Sequence, residues 1–200
     1  MVTETSSGIF ESQLGLASAV FLDRDGVINH AVVRGGKARS PATLADLKIL
    51  SGVSQAVRLL KKSGFMVIVV TNQPNVGAGV QSREVVEAMH VTLRQKLAVD
   101  DIKVCYHTDS DRCPCRKPAP GMLVAAATQY GIDLRSSFMI GDRWRDVDAG
   151  KAAGCITCLI DRQYPEDLRE RPDYTFTSLL EAARSIVMMT AEGRVDNAIS

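Results

Sequence analysis

The sequence lacks an excess of charge of either sign. Lysine and arginine total 24 and aspartate and glutamate total 23, so the formal net charge is only +1. This balance gives no indication of a protein that binds nucleic acid or an anionic membrane through its overall charge. Any affinity for phosphate must therefore come from a local cluster of groups. The sequence also has no apolar run that approaches the roughly 20 residues needed to span a bilayer.

The amino terminus lacks the basic start and apolar core of a signal peptide. We therefore interpret residues 1–17 as an N-terminal tail and residues 191–200 as a C-terminal tail, with one domain over residues 18–190. The hydrophobic content of 46% is ordinary for a globular protein of this length. Without an export signal, the five cysteines favour reduced thiols and a cytoplasmic location over a disulfide framework.

Apolar runs alternate with segments of helical periodicity along the chain. Strands are predicted over residues 19–22, 65–70, 102–106, 137–140 and 155–160, and helices over 50–62, 82–98, 120–130, 144–153 and 178–189. Residues 30–48 are predicted as a long polar connection. Strands that alternate with helices indicate a parallel sheet covered on both faces. The predicted fold is a doubly wound α/β domain.

Polar side chains follow three of the predicted strands. They are Asp23 and Asp25, Thr71 and Asn72, and Asp142. Because the carboxyl ends of parallel strands lie at one edge of a sheet, we expect these groups to meet there. Mg²⁺ prefers oxygen ligands and often binds carboxylates together with substrate phosphate. The pattern predicts a magnesium site, although a charged exit from a strand is the simpler alternative for the first motif alone.

A basic turn, Arg116-Lys117-Pro118, precedes a predicted helix and could join the same crevice. Acidic groups, a hydroxyl and two cations at one place suit a metal-assisted reaction at phosphate. One aspartate could be a covalent nucleophile and the other a general acid and then base. Lys117 and Mg²⁺ would offset the charge of the transferring phosphoryl group.

Four motifs resemble, in order, those of the haloacid dehalogenase (HAD) superfamily of phosphatases. They are Asp23-x-Asp25-Gly26, Thr71-Asn72-Gln73, Arg116-Lys117-Pro118 and Gly141-Asp142-x3-Asp146. The resemblance covers about Val20 to Leu159, which is most of the chain. No sizeable insertion follows the first motif or separates the second from the third, which is similar to the branch without a cap domain.

Three longer phrases resemble the family of heptose bisphosphate and histidinol-phosphate phosphatases. They are Phe21–Gly26, Val70–Gln73 and Cys113–Met122. The resemblance implies that Asp23 is the nucleophile, that Asp25 is the acid/base, and that Asp23, the Asp25 carbonyl and Asp142 hold Mg²⁺. The phosphate and substrate ligands that we predict are Thr71, Asn72, Gln73, Arg116, Lys117 and Arg143. Arg143 stands where the family often has lysine.

A second metal site is predicted between positions 105 and 115. Cys105, His107, Cys113 and Cys115 supply three thiols and an imidazole. Zn²⁺ takes such ligands tetrahedrally, and four protein ligands indicate a closed, structural site. The family resemblance also implies zinc here. Unrelated surface residues are the alternative.

The remaining candidates have simpler interpretations. Cys155 and Cys158 lie on a predicted buried strand and are interpreted as core residues. His90 falls within a helical pattern and is interpreted as structural, whereas a substrate contact is open for His30. Asp146 follows Asp142 by one helical turn and could support Mg²⁺ or orient Lys117. The basic side chains Arg34, Lys37 and Arg39 are either a solvated face or a contact to a second phosphate.

The resemblance implies a Mg²⁺-dependent phosphatase that acts through an aspartyl-phosphate. The expected substrate is a sugar phosphate, D-glycero-D-manno-heptose 1,7-bisphosphate, cleaved at its 7-phosphate. The alternatives are a histidinol-phosphate or generic phosphomonoester phosphatase and, outside the enzymes, a zinc-stabilised binding module. We expect a monomer or a dimer that binds neither nucleic acid nor a membrane.

Overall fold

The computed structural model describes residues 16–34 and 37–193. Its strands are β1 Ala19–Leu22, β2 Val32–Arg34, β3 Lys37–Arg39, β4 Met66–Asn72, β5 Asp101–Cys105, β6 Phe138–Gly141, β7 Ile156–Ile160 and β8 Tyr174–Phe176. Its α-helices are α1 Val53–Lys62, α2 Pro74–Gly77, α3 Arg83–Lys96, α4 Gly121–Tyr130, α5 Trp144–Ala153 and α6 Leu179–Ala191. Strands and helices alternate along most of the chain, as the sequence pattern predicts.

Six strands form one parallel sheet in the order β5-β4-β1-β6-β7-β8. Successive strands extend the sheet from β1 to β4 and β5, after which the chain returns to the other side of β1 and adds β6, β7 and β8. The order therefore reverses between β1 and β6, where ligand crevices open in doubly wound folds. Val20 of β1 pairs with Val67 on one side and Phe138 on the other.

The two faces of β1 belong to two hydrophobic cores. Val20 and Leu22 pack in the core that contains α1 and α6, whereas Ala19 and Phe21 pack in the core that contains α4. Successive residues of a strand point to opposite faces of the sheet, so helices must cover both faces to bury this apolar run. The prediction of a doubly wound α/β fold is confirmed.

Helix ends follow the signals in the sequence. Ser82 caps α3, and its side chain accepts a hydrogen bond from the backbone N–H of Val85 at 3.3 Å. Ser178 caps α6 in the same way through Glu181, at 3.2 Å. Such caps satisfy backbone donors that the first turn of a helix leaves free. Gly131 adopts a left-handed conformation with φ of 63° and ends α4.

The connection at residues 30–48 contains more structure than the sequence predicts. Strands β2 and β3 form an antiparallel hairpin, and a 3₁₀-helix follows at Leu44–Asp46. Between β1 and α1 these are the elements that the structure describes, and none is large enough to be a cap domain. Strand β8, at the edge of the sheet, was also absent from the prediction.

The predicted division into a domain over residues 18–190 and two tails stays a prediction. Residues 1–15 and 194–200 lie outside the described residues. Within the described part, Ala17 already pairs with Ile132, and α6 continues to Ala191. None of the helices in residues 16–34 and 37–193 is long and apolar enough to cross a membrane.

We expect Leu60→Ala in α1 to lower the free energy of unfolding by about 2–5 kcal/mol, because it opens a cavity in the core. The side chain of Leu60 is completely buried. Leu168→Ala makes the same chemical change at a residue that is 40% exposed, and should cost less than about 0.5 kcal/mol. Urea unfolding of both variants measures the difference, and equal losses would contradict the assignment of the core.

Candidate active site

Asp23 and Asp142 follow adjacent strands at the point where the strand order reverses. The backbone N–H of Asp23 donates to the carbonyl of Ile140 at 2.9 Å, which keeps the ends of β1 and β6 together. The chain then turns at Gly26, whose φ is +93°. A Cβ atom at Gly26 would lie 1.8 Å from Oδ2 of Asp142, so only glycine allows this close approach. The turn after β1 thus packs directly against the carboxylate after β6.

Lys117 brings a positive charge into this acidic group. Its Nζ donates to Asp23 Oδ1 at 2.6 Å and to the carbonyl of Val70 at 2.7 Å, and lies 2.6 Å from Asp146 Oδ1. The residue is only 2% exposed. Burial alone would lower the pKa of Lys117, but the carboxylates of Asp146 and Asp23 raise it above its ordinary value. The ammonium group therefore stays charged in the site.

Three carboxylates surround that single ammonium group, which leaves the cluster short of positive charge. Oxygens of Asp23, Asp142 and Asp146 lie within 4.8 Å of one another. Both oxygens of Asp142 are buried and make no hydrogen bond of good geometry among the described residues. Burial raises the pKa of Asp142, and the charges of Asp23 and Asp146 raise it further, against the lowering effect of the nearby hydroxyl of Tyr164. Burial also raises the pKa of Asp23 to about 7, against the lowering effect of Lys117. A hard cation with oxygen ligands fits this set.

Asp25 has a different environment from Asp23. Arg24 donates to both oxygens of Asp25, at 3.1 Å and 2.9 Å from Nη2. Asn29 donates to Oδ1 at 2.9 Å, while Ser40 and Gln73 donate to Oδ2 at 2.8 Å and 2.9 Å. Burial alone would raise the pKa of Asp25, but the charge and hydrogen bonds of Arg24 lower it below its ordinary value. Two carboxylates separated by one residue thus differ in acidity, which suits different chemical roles.

The polar end of β4 holds the lysine turn in place. Asn72 Nδ2 donates to the carbonyl of Lys117 at 2.9 Å, and the N–H of Lys117 donates to Asn72 Oδ1 at 3.1 Å. Thr71 is buried, and its hydroxyl accepts a hydrogen bond from Gln73 at 2.8 Å. Gln73 in turn binds Asp25, so the second motif supports the groups that face the cleft.

Arginines form the wall of the cleft above the carboxylates. Those that line it are Arg39, Arg116, Arg143 and Arg145. Asp109 accepts hydrogen bonds from Nε of Arg116 at 2.8 Å and from Nη1 of Arg145 at 3.0 Å. Glu166 binds Arg143 through Nε at 2.9 Å. These two carboxylates fix the guanidinium groups of Arg116, Arg143 and Arg145, and Nη1 of Arg116 remains buried without a hydrogen-bond partner among the described residues. The wall is suited to an anionic ligand.

Three cysteines and a histidine form a second cluster behind the arginine wall. The sulfur of Cys115 lies 3.3 Å from those of Cys105 and Cys113, and 3.4 Å from Nδ1 of His107. Cys105 is 3.5 Å from His107 and 3.6 Å from Cys113. A tetrahedron with metal–sulfur bonds of about 2.3 Å has edges of about 3.8 Å. The four side chains could therefore hold one metal ion.

The structure brings most of the predicted site residues to one cleft. Asp23, Asp25, Asn72, Arg116, Lys117 and Arg143 line it. Asp142 lies buried behind Asp23, while Thr71 and Gln73 lie behind Asp25. His30 is exposed and is not among the residues that line the cleft. The side chains of Arg34 and Lys37 lie outside the described residues, and Arg39 reaches the cleft.

Sequence reasoning missed the supporting groups. Arg24 stands between the two aspartates of the first motif, and its position alone could have drawn attention to it. The roles of Asn29, Ser40 and Asp109 depend on contacts between separate segments, so no local pattern indicates them. Cys155 and Cys158 are buried in the cores, as interpreted.

Comparisons with known proteins agree with the fold. A family model described as HAD-hydrolase-like matches residues 114–182. D-glycero-beta-D-manno-heptose-1,7-bisphosphate 7-phosphatase of Rhodopseudomonas palustris is 37% identical over 148 residues, which cover 68% of this chain and 79% of that relative. The enzyme of the same name from Escherichia coli is 32% identical over 185 residues, covering 84% of this chain and 93% of that one.

A solved structure extends the comparison to three dimensions. The D,D-heptose 1,7-bisphosphate phosphatase of B. bronchiseptica, complexed with magnesium and phosphate, aligns with a TM-score of 0.74 and 29% identity. The alignment covers 86% of this chain and 98% of that one. The class that fold and site define is the HAD-type phosphatases. Within that class, this chain belongs to the family of the D-glycero-beta-D-manno-heptose-1,7-bisphosphate 7-phosphatases.

We expect Gly26→Ala to disrupt the site, because the added Cβ would collide with Asp142. Gly64→Ala is a matched control, since Gly64 also has a positive φ, of +89°, but has no atom within 4 Å of the added Cβ. The control should cost about 1 kcal/mol of stability from backbone strain. Gly26→Ala should cost more and should also weaken Mg²⁺ binding, as measured by urea unfolding and calorimetric titration. Equal behaviour of the two variants would contradict the close packing.

Proposed function

We propose that the protein is a Mg²⁺-dependent phosphatase that cleaves the 7-phosphate of D-glycero-beta-D-manno-heptose 1,7-bisphosphate through an aspartyl-phosphate. The observation that carries this proposal is the pairing of Lys117 with Asp23 beside the buried carboxylate of Asp142, whose oxygens make no hydrogen bond of good geometry among the described residues. The names of the relatives support the substrate, and the relative solved with magnesium and phosphate supports the metal.

The carboxylates of Asp23 and Asp142, with the backbone carbonyl of Asp25, are the groups that we propose as Mg²⁺ ligands. The buried oxygens of Asp142 fit such a role, because a charge in this position needs a cation. When bound, Mg²⁺ supplies positive charge that neutralises the phosphoryl oxygens and the carboxylates.

Asp23 is the proposed nucleophile. One of its oxygens forms a bond to phosphorus as the bond from phosphorus to the sugar oxygen breaks. Asp25 donates its proton to the departing sugar oxygen. Asp25 then takes a proton from water, whose oxygen attacks phosphorus, releasing phosphate and restoring the carboxylate of Asp23. Lys117 stabilises the charge on the transferring group throughout.

The low pKa of Asp25 in the free protein is compatible with its role as an acid. A phosphoryl dianion beside Asp25 disfavours a second negative charge and raises its affinity for a proton. The hydrogen bond from Ser40 also comes from the wall of the cleft, where the substrate would bind. The environment of Asp25 therefore changes as the site fills.

The arginine wall supports a substrate with a second phosphate. Arg116 and Arg145 share Asp109 as a partner, so two positive charges face the cleft with one negative charge between them. The second phosphate of a bisphosphate would neutralise this excess positive charge and so increase the affinity, whereas a monophosphate would leave the charge uncompensated. A panel of esters that includes histidinol phosphate, compared by kcat/KM, separates the proposed substrate from the alternatives.

We expect Asp23→Asn to reduce turnover to below about 10⁻³ of wild type, because the amide is not a nucleophile. Release of inorganic phosphate from the heptose bisphosphate measures the loss. Circular dichroism should show an unchanged fold, since asparagine has nearly the same shape. Substantial turnover in this variant would rule out covalent catalysis by Asp23.

We further propose that the cluster of Cys105, His107, Cys113 and Cys115 holds a structural Zn²⁺. Thiolates and imidazole at these distances fit a closed tetrahedral site. None of the five cysteines forms a disulfide in the described residues, which agrees with a reducing, cytoplasmic environment. The bound metal would hold the segment that leads to Arg116 and Lys117. The expectation of a monomer or dimer stays a prediction.

We expect Cys115→Ser to lose zinc and to lower activity at saturating Mg²⁺, because the segment before Arg116 loses its anchor. Cys155→Ser makes the same change in a buried thiol outside the cluster and should retain about one zinc per chain. Elemental analysis and turnover measure both effects. Full activity in a zinc-free protein that still binds Mg²⁺ would contradict this role.

A further inference from the structure

Arg24 is a fully buried arginine that the proposed chemistry does not yet use. It lies between the nucleophile and the acid/base, and its exposed fraction is 0%. Its guanidinium contacts both oxygens of Asp25 through Nη2 and Oδ1 again through Nε, at 3.2 Å. A fully buried guanidinium group needs further hydrogen-bond acceptors, both to offset its desolvation and to fix the orientation of the long side chain.

The remaining nitrogen of Arg24 meets a buried histidine of helix α3. Nη1 of Arg24 lies 3.2 Å from Nε2 of His90, which is 1% exposed. Arginine can only donate, so Nε2 of His90 must accept and the ring proton must reside on Nδ1. Burial and the charge of Arg24 together lower the pKa of His90 to about 4, against the raising effect of Glu87, which keeps the ring neutral.

Glu87 occupies the other side of the imidazole. Its Oε2 lies 3.5 Å from Nδ1 of His90, which is the nitrogen that carries the proton. The hydroxyl of Tyr106 donates to Oε1 of the same carboxylate. Glu87 is therefore held from two sides, and it selects the tautomer of His90 that can accept from Arg24. The polar contacts run without a break from Asp25 to the partly exposed Glu87.

We propose that His90 is a positioning residue for the reaction: through Arg24, it holds the carboxylate of Asp25 in the orientation from which Asp25 exchanges protons with the sugar oxygen and with water. The inference rests on the proposed function and extends it to a residue of α3 that does not line the cleft. Asn29, Ser40 and Gln73 also bind Asp25. Loss of His90 should therefore weaken proton transfer without abolishing it.

The experiment compares two esters that differ in their need for a proton. Departure of the sugar oxygen of the heptose bisphosphate requires a proton from Asp25, whereas p-nitrophenolate is a good leaving group without one. Because kcat/KM reports steps up to formation of the aspartyl-phosphate, it isolates this difference. We expect His90→Leu to lower kcat/KM by about 10–100-fold for the heptose bisphosphate and by less than about threefold for p-nitrophenyl phosphate.

Two further variants separate positioning from stability. His90→Gln keeps a neutral acceptor for Arg24 and should recover most of the activity on the heptose bisphosphate. Thr157→Val removes a different buried polar group, one whose hydroxyl donates to Asp173 far from the first motif. It should lower the melting temperature while leaving the ratio of the two kcat/KM values unchanged.

The outcomes distinguish this inference from the proposed function. The inference is overturned if His90→Leu loses kcat/KM equally for both esters or does not lose it at all. It is also overturned if His90→Gln fails to recover activity. None of these outcomes contradicts the proposed phosphatase function. Absence of turnover of either ester by the wild-type protein would overturn both. If His90→Leu does not fold, Glu87→Ala replaces it, because the side chain of Glu87 is 43% exposed. Glu87→Ala should lower kcat/KM for the heptose bisphosphate selectively, but by a smaller factor. Values of kcat/KM equal to those of wild type would overturn the inference.

Discussion

The active site depends on one buried ammonium group. Nζ of Lys117 is bound at the same time by Asp23 after β1, the carbonyl of Val70 in β4 and Asp146 in α5. These groups come from three separate parts of the chain. Removal of one partner from a buried ion pair costs about 3–5 kcal/mol, since it leaves a charge without compensation. The contact therefore stabilises the fold at the same place where it brings the carboxylates of the candidate site together.

The rest of the site is built around the position of that lysine. Asn72 binds the backbone of Lys117 through both ends of its amide, which fixes the turn from the side of β4. Cys115 lies two residues before Lys117, so the metal proposed for the cysteine cluster would fix the same segment from the other direction. A lysine side chain is flexible, so a precise charge requires a rigid backbone. Asn72 meets this requirement, and the metal proposed for the cysteine cluster would meet it too.

Much of the candidate site could be predicted because its carboxylates follow strands. Asp23, Asp25 and Asp142 stand directly after apolar runs, and the edge of a parallel sheet brings such positions together without further information. The partners of Asp25 could not be found in this way. Ser40 reaches it from the connection after the β2–β3 hairpin, and the position of that connection depends on tertiary packing.

Two other features that the sequence does not predict, strand β8 and the contact of His90, likewise depend on tertiary packing. Strand β8 has only three residues, Tyr174–Phe176, which is too short for a periodic pattern to be distinguished from a loop. His90 was interpreted as structural from its place in a helix, and it is indeed buried. Its contact with Arg24 is invisible in the sequence, because 66 residues separate the two. Burial can be predicted from periodicity, but the partner of a buried polar group cannot.

The short length of β8 has a consequence for the behaviour of the protein at high concentration. The outer strand of a sheet presents unpaired N–H and C=O groups that can recruit a strand from another molecule. Three residues offer few such groups at this margin. At the opposite margin, β5 includes Asp101 and Lys103, whose side chains form an ion pair at 2.8 Å. Because β8 is short and β5 carries charged side chains, both edge strands are poor templates for aggregation.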